Sequence, residues 1–127
     1  MTVRVLVADD QAPFRKAARS VLNAAADFQL VGEATSGEEA VALVDSLRPD
    51  LVLMDIKMAG IGGIEAARSI TATHPETITI LLSTYREEDL PREAQACGAA
   101  AYLHKSDLGG NVLRELWEGR RYLPSAR

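Results

Sequence analysis

The sequence predicts an α/β fold, a single parallel sheet with helices on both faces. Three observations carry that prediction. Short apolar or β-branched runs alternate with segments of helical spacing five times along the chain. Such an order calls for parallel strands joined by crossover helices. The first, third and fourth runs are continuously apolar, as strands covered on both faces should be. The chain has 127 residues, the size of one domain with a core of its own.

The elements follow in order. Strands are expected at 3–8, 29–34, 51–54, 77–82 and 100–103. Phe14, Ala17, Ala18, Val21, Leu22 and Ala25 recur at the i, i+3, i+4, i+7 spacing of a first helix. Pro13 suits its first turn, where a missing N–H costs nothing. Ala40, Leu43, Val44 and Leu47 mark a second helix. Ser36 and Glu39 form a capping box before it, and Pro49 follows it. Ile64, Ala67 and Ile70 mark a third, with His74 before Pro75 at its end. A fourth is expected over 86–97, ended by Gly98. Pro91 falls inside that stretch, and an interior proline costs a helix about 3 kcal/mol. Regular helix should therefore begin near Pro91, leaving 86–90 irregular. Val112, Leu113, Leu116 and Trp117 share one side of a fifth helix.

Composition narrows the function. Hydrophobic residues make up 47% and charged residues 25%, which argues against disorder, and the net charge of -4 argues against this stretch binding nucleic acid by itself. No apolar run approaches the length of a membrane span, and the N-terminus lacks the layout of a cleavable signal. The lone cysteine, Cys97, excludes an internal disulfide and reads as a small core residue. The simplest location is cytoplasmic.

In an open parallel sheet, ligands bind beyond the carboxyl ends of the strands. Asp9 and Asp10 follow the first strand, Asp55 the third, Ser83 the fourth and Lys105 the fifth. The second contributes nothing obvious. Three clustered carboxylates repel one another unless a cation lies among them, and all-oxygen ligands suit Mg²⁺. A lysine beside them can balance a phosphoryl group, whose other oxygens a serine hydroxyl can bind. Asp55, on the middle strand, is placed as the nucleophile of an acyl phosphate. His104 alternates to the opposite face from Lys105 and is no ligand.

These residues resemble the receiver domains of two-component response regulators, the CheY-like group. The resemblance rests on VLVADD at 5–10, DLVLMDIKM at 50–58, the Ser83–Thr84 pair and AYLHK at 101–105, in that order. It implies a flavodoxin-like three-layer sandwich with strand order 2-1-3-4-5. It also implies that Asp55 is the phosphoacceptor and a sensor histidine kinase the donor. Mg²⁺ would be bound by Asp10, Asp55 and the Lys57 backbone carbonyl, with Asp9 acting through water. Ser83 and Lys105 would hold the phosphoryl oxygens, and Ser83 and Tyr102 would act as the switch. Such a domain catalyses transfer to its own aspartate and is otherwise not an enzyme. The tail WEGRRYLPSAR at 117–127, with 94–107, is similar to the NarL/FixJ-type subgroup. That implies a receiver over 1–121, a linker from 122–127 onward, and DNA contact only through a helix-turn-helix domain beyond this chain. In that subgroup, homodimers form through the first and last helices.

The sequence departs from the family in three places. Ala59 stands where proline is usual, Gly62 where an acidic residue is usual, and Ser106 where proline often follows the lysine. The first two lead us to expect a looser loop over 59–63. Two other functions fit parts of the pattern. A phospho-independent binding module or free-standing receiver would keep the fold, although the complete polar set argues against loss of the chemistry. A haloacid-dehalogenase-type phosphatase would need a second aspartate where Lys57 stands.

Overall fold

A computed structural model describes residues 2–119, with the backbone alone for Glu87. Five strands form one sheet in the order β2-β1-β3-β4-β5, every neighbouring pair parallel. The strands are β1 (Val3–Ala8), β2 (Phe28–Ala34), β3 (Leu51–Asp55), β4 (Ile78–Ser83) and β5 (Ala101–His104). The helices are α1 (Ala12–Ala24), α2 (Gly37–Leu47), α3 (Gly62–Thr73), α4 (Arg92–Gln95) and α5 (Gly110–Gly119). This is the expected three-layer architecture. The strands match expectation within one residue at each end. The small shifts matter at the site, because Asp55 and Ser83 close their strands from inside.

Period-2 alternation divides the central strands between two cores. Val5, Val7, Leu51, Leu53, Ile80 and Leu82 pack with Ala18 and Leu22 of α1 and Leu113 of α5. Leu6, Ala8, Val52, Met54 and Leu81 pack with α2, α3 and Ala94 of α4 on the other face. Cys97 belongs to the second core and is 2% exposed. In α1, Ala18 is buried but Ala17 is exposed, so the core-facing stripe is narrower than its spacing implied. Trp117 is half-buried against the α1–α5 core.

The caps act as read, with one variation. Ser36 Oγ accepts from the Glu39 N–H at 3.1 Å. The Glu39 carboxylate returns to Thr35 N–H at 2.6 Å, one residue earlier than an ordinary capping box. Pro13 lies in the first turn of α1. His74 caps α3, and its Nε2 lies 2.5 Å from Asp45 Oδ1, tying α3 to α2.

The fourth helix is one turn long. Pro91 sits at its N-cap with an extended ψ of 148°, and a 3-10 turn at Glu87–Asp89 fills the segment before it. This is the irregular stretch expected from the proline, which can begin a helix but cannot continue one. Gly98 follows at φ 95°, where a Cβ would lie 2.4 Å from Thr71 Oγ1.

Candidate functional site

The carboxyl ends of β1 and β3 bring Asp9, Asp10 and Asp55 together, with one oxygen of each within 4.8 Å of the others. Asp9 is fully buried, Asp55 is 4% exposed and Asp10 is exposed. Lys105, just beyond β5, reaches across the sheet to them. Its Nζ lies 2.6 Å from Asp9 Oδ2 and 3.4 Å from Asp55 Oδ2. Beyond that ion pair, Asp9 Oδ2 makes no hydrogen bond among the described residues.

Several neighbours fix these groups in place. Asp9 Oδ1 accepts from Gln11 N–H at 2.8 Å, and Arg15 Nη1 donates to the Asp9 carbonyl at 2.9 Å. Arg15 also pairs with Glu33 of β2 at 3.3 Å. The strand that offered nothing obvious thus supports the site at one remove. Asp10 Oδ2 accepts from Ala59 N–H at 3.1 Å. Lys105 Nζ stands 4.6 Å from the centroid of the Phe14 ring. In sequence Phe14 reads only as part of the first helix's apolar stripe, and nothing singles out Arg15. Their role depends on where α1 lies over the sheet, which no local pattern encodes.

Electrostatics distinguish Asp55 from an ordinary surface carboxylate. Burial, and then the charge of Asp9, push its carboxyl up to about 6, with Lys105 pulling the other way. The cluster is therefore short of positive charge, with one ammonium set against three carboxylates. Every donor atom in it is a hard carboxylate oxygen. Those features fit a hydrated Mg²⁺ at the three carboxylates.

The loop after β3 is tied down at several points. Gly37 N–H donates to the Ala59 carbonyl at 3.1 Å, and Ile61 N–H to Glu38 Oε1 at 3.0 Å. A Cβ on Gly63 would lie 1.9 Å from the Asp55 carbonyl oxygen, so only glycine lets α3 start there. Gly62 has φ 81°, a conformation that would strain an acidic residue at this position. The looseness expected over 59–63 from its composition is thus opposed by bonds from α2 and from Asp10.

The remaining predicted residues lie on the β4–β5 side. Ser83 is buried, and its Oγ accepts from Tyr85 N–H at 2.8 Å. Tyr102 is half-buried, and its hydroxyl donates to the Ala94 carbonyl at 2.5 Å. The Lys57 side chain turns outward, its ammonium 5.4 Å from the Tyr85 ring centroid. His104 points away from the carboxylates, as its alternation requires. Its Nδ1 accepts from Ser106 N–H at 3.1 Å, leaving Nε2–H to donate to the Thr84 carbonyl at 3.0 Å. Serine in place of proline at 106 supplies the N–H for that bond.

The comparisons with known proteins agree with this geometry. The response regulator receiver domain family matches residues 5–115. Response regulator GacA of Pseudomonas viridiflava is 38% identical over 124 residues, covering 95% of this chain and 58% of that protein. Response regulator UvrY of Escherichia coli K12 is 36% identical over 126 residues, covering 97% of this chain and 58% of that protein. The chain therefore spans little more than half the length of these relatives. Among solved structures, the signal receiver domain of NarL from Mycobacterium tuberculosis superimposes with a TM-score of 0.85 at 28% identity, covering 94% of this chain and 97% of that one. The response regulator domain of Thermotoga maritima CheB gives 0.83 at 29% identity, covering 98% of this chain and all of that one. A five-stranded sheet in the order 2-1-3-4-5, carrying its acidic cluster at the carboxyl ends of β1 and β3, belongs to the response regulator receiver domains of two-component signalling.

Proposed function

We propose that this receiver switches by accepting a phosphoryl group on Asp55, with a sensor histidine kinase as donor. The observation that carries the reading is the meeting of Asp9, Asp10, Asp55 and Lys105 at one sheet edge. An Asp55 carboxylate oxygen attacks phosphorus, the bond from phosphorus to the donor nitrogen breaks, and the histidine leaves with the bonding pair. The product is an acyl phosphate, which water later hydrolyses to aspartate and inorganic phosphate. Acetyl phosphate can donate in the same way, releasing acetate. Mg²⁺, when bound, supplies the positive charge that lets two anionic partners approach. Asp10, Asp55 and the Lys57 backbone carbonyl would hold it, with Asp9 acting through water.

The chain's own groups do the rest. Lys105, whose ammonium already lies 3.4 Å from Asp55, donates to the new phosphoryl oxygens, and the Ser83 hydroxyl turns from Tyr85 N–H to donate to another. That pull on the β4–α4 turn reaches Tyr102, whose hydroxyl tethers α4 through Ala94. The same reading extends to an output beyond this chain, transcriptional control through a helix-turn-helix domain joined at 122–127. The tail sequence and the greater length of the GacA and UvrY relatives support it. Residues 120–127, which include the receiver's expected end at 121 and the linker, lie outside the described residues. A homodimer through α1 and α5 is supported by the exposed Ala17 and Ala24 on α1, seven positions apart on one helix face. Among the described residues no helix is long and apolar enough to cross a membrane, which accords with a cytoplasmic setting.

The test is acetyl phosphate with Mg²⁺, read by intact mass. The wild type should gain the mass of one phosphoryl group, and Asp55→Asn should gain none. A wild type that stays unmodified, or a variant modified to the same extent, overturns the reading.

A further inference from the structure

We infer that Phe14 is a positioning residue for phosphoryl transfer, its ring face holding the Lys105 ammonium where it can serve both Asp9 and Asp55. The inference rests on the proposed role of Lys105 at the phosphoryl group. Lysine carries its charge on a flexible four-carbon stem, and something must hold that charge for it to act from one place. Here the ammonium lies 2.6 Å from Asp9, 3.4 Å from Asp55 and 4.6 Å from the Phe14 centroid. The last distance is well inside the range over which an aromatic face attracts a cation. The lysine side chain is 11% exposed, so water screens the contact little.

The fold explains the meeting. Lys105 follows Ala101 and Leu103 in period-2 alternation, and both pack on the α1–α5 core that also receives Phe14. Pro13 in the first turn of α1 sets Phe14 on the turn nearest the strand ends. The next residue, Arg15, holds the Asp9 carbonyl. One turn of α1 thus fixes both members of the Asp9–Lys105 pair.

The ring does something a carboxylate cannot. A carboxylate partner takes N–H donors and competes with the phosphoryl oxygens for them. A ring face attracts the charge without accepting a conventional hydrogen bond, so the N–H groups stay available. It also carries no net charge that would draw the ammonium away from the acidic cluster.

The test replaces Phe14 with mono-, di- and trifluorophenylalanine, which keep the ring's shape while weakening its attraction for a cation. Two readouts are followed. In the resting protein, without Mg²⁺ or phosphoryl donor, the Lys105 Hε resonances should show an upfield ring-current shift that Phe14→Leu abolishes. With Mg²⁺ and acetyl phosphate, the rate of phosphorylation should fall stepwise along the fluorinated series, by on the order of 3- to 10-fold in total. Phe14→Tyr should restore the rate that Phe14→Leu loses. Equal rates across the fluorinated series, or unshifted Lys105 resonances, overturn the inference and leave the phosphoacceptor reading standing. A wild type that takes up no phosphoryl group removes that reading, and the positioning role with it, whatever the Lys105 resonances show.

Discussion

On the α1–α2 side of Asp55, the buried Asp9 and the exposed Asp10 follow β1 and are held by bonds to neighbouring backbone and side chains. Asp9 is fixed by Gln11 N–H and Arg15, Asp10 by Ala59 N–H, and the loop after β3 by Glu38 and Gly37. On the β4–β5 side, Ser83 and Tyr102 border a helix of one turn, preceded by a 3-10 turn and a proline. The Ser83 hydroxyl accepts a local turn bond, and the Tyr102 hydroxyl reaches the Ala94 carbonyl. Alternation adds to the contrast. Asp9, Asp55 and Lys105 share the parity of the α1–α5 core, whereas Ser83 and Tyr102 share that of Leu81 on the opposite face. On the proposed reading, a half that performs the chemistry and must keep its geometry is set beside a half whose short helix can shift. Elements that move in switching are drawn from the less stable parts of a fold.

Breaking the rigid half should have the largest effect. Gly63→Ala puts a methyl group 1.9 Å from the Asp55 carbonyl oxygen, so α3 or β3 must shift. Urea denaturation should register a loss of about 3 kcal/mol. A loss below about 0.5 kcal/mol would show that this half yields more readily than its packing implies.

The next effect is electrostatic and opposite in sign. In the metal-free protein the Asp55 carboxyl is pushed from 3.8 up to about 6, so the folded state keeps a proton that the unfolded state has released. Stability should therefore fall as pH rises through that window. Asp55→Asn removes the penalty and should stabilise the protein at pH 7, in chelator, by on the order of 1–3 kcal/mol. The gain should shrink toward zero below the lower value. A gain over the wild type no larger at pH 7 than at pH 3 would contradict the burial and Asp9 repulsion assigned to this group.

The smallest change probes the looser half. Tyr102→Phe removes the hydroxyl that donates to the Ala94 carbonyl and should cost about 1 kcal/mol. Amide exchange should speed up around α4 and stay unchanged in α1 and α2. Acceleration spread evenly over the protein would erase the distinction between the two halves.

Most of the fold was legible in the sequence because strand and helix periods are local. Each strand run carried its own boundary within a residue, and Pro91 announced the irregular 86–90 stretch, though not that the helix would stop at Gln95. The acidic cluster and Lys105 were legible because they end predicted strands, which this fold must gather at one edge. What could not be read depends on how helices lie over the sheet. Phe14 beneath Lys105, Arg15 between Asp9 and Glu33, and Glu38 clasping Gly60 and Ile61 are contacts between separate segments with no motif to mark them. The loop at 59–63 shows the limit well. Ala59 and Gly62 predicted looseness, yet Gly60 and Gly63 permit the close approaches that tie it down.

The most direct measurement of the account follows backbone amide resonances as Mg²⁺ and beryllofluoride, a mimic of the phosphoryl group, are added. Saturable shifts are expected at Asp55 that spread to Ser83, Thr84, the 86–97 segment and Tyr102, leave the body of α1 and α2 nearly unchanged, and vanish in Asp55→Asn. Absent shifts, or the same shifts in the variant, would contradict Asp55 as the phosphoacceptor of this domain.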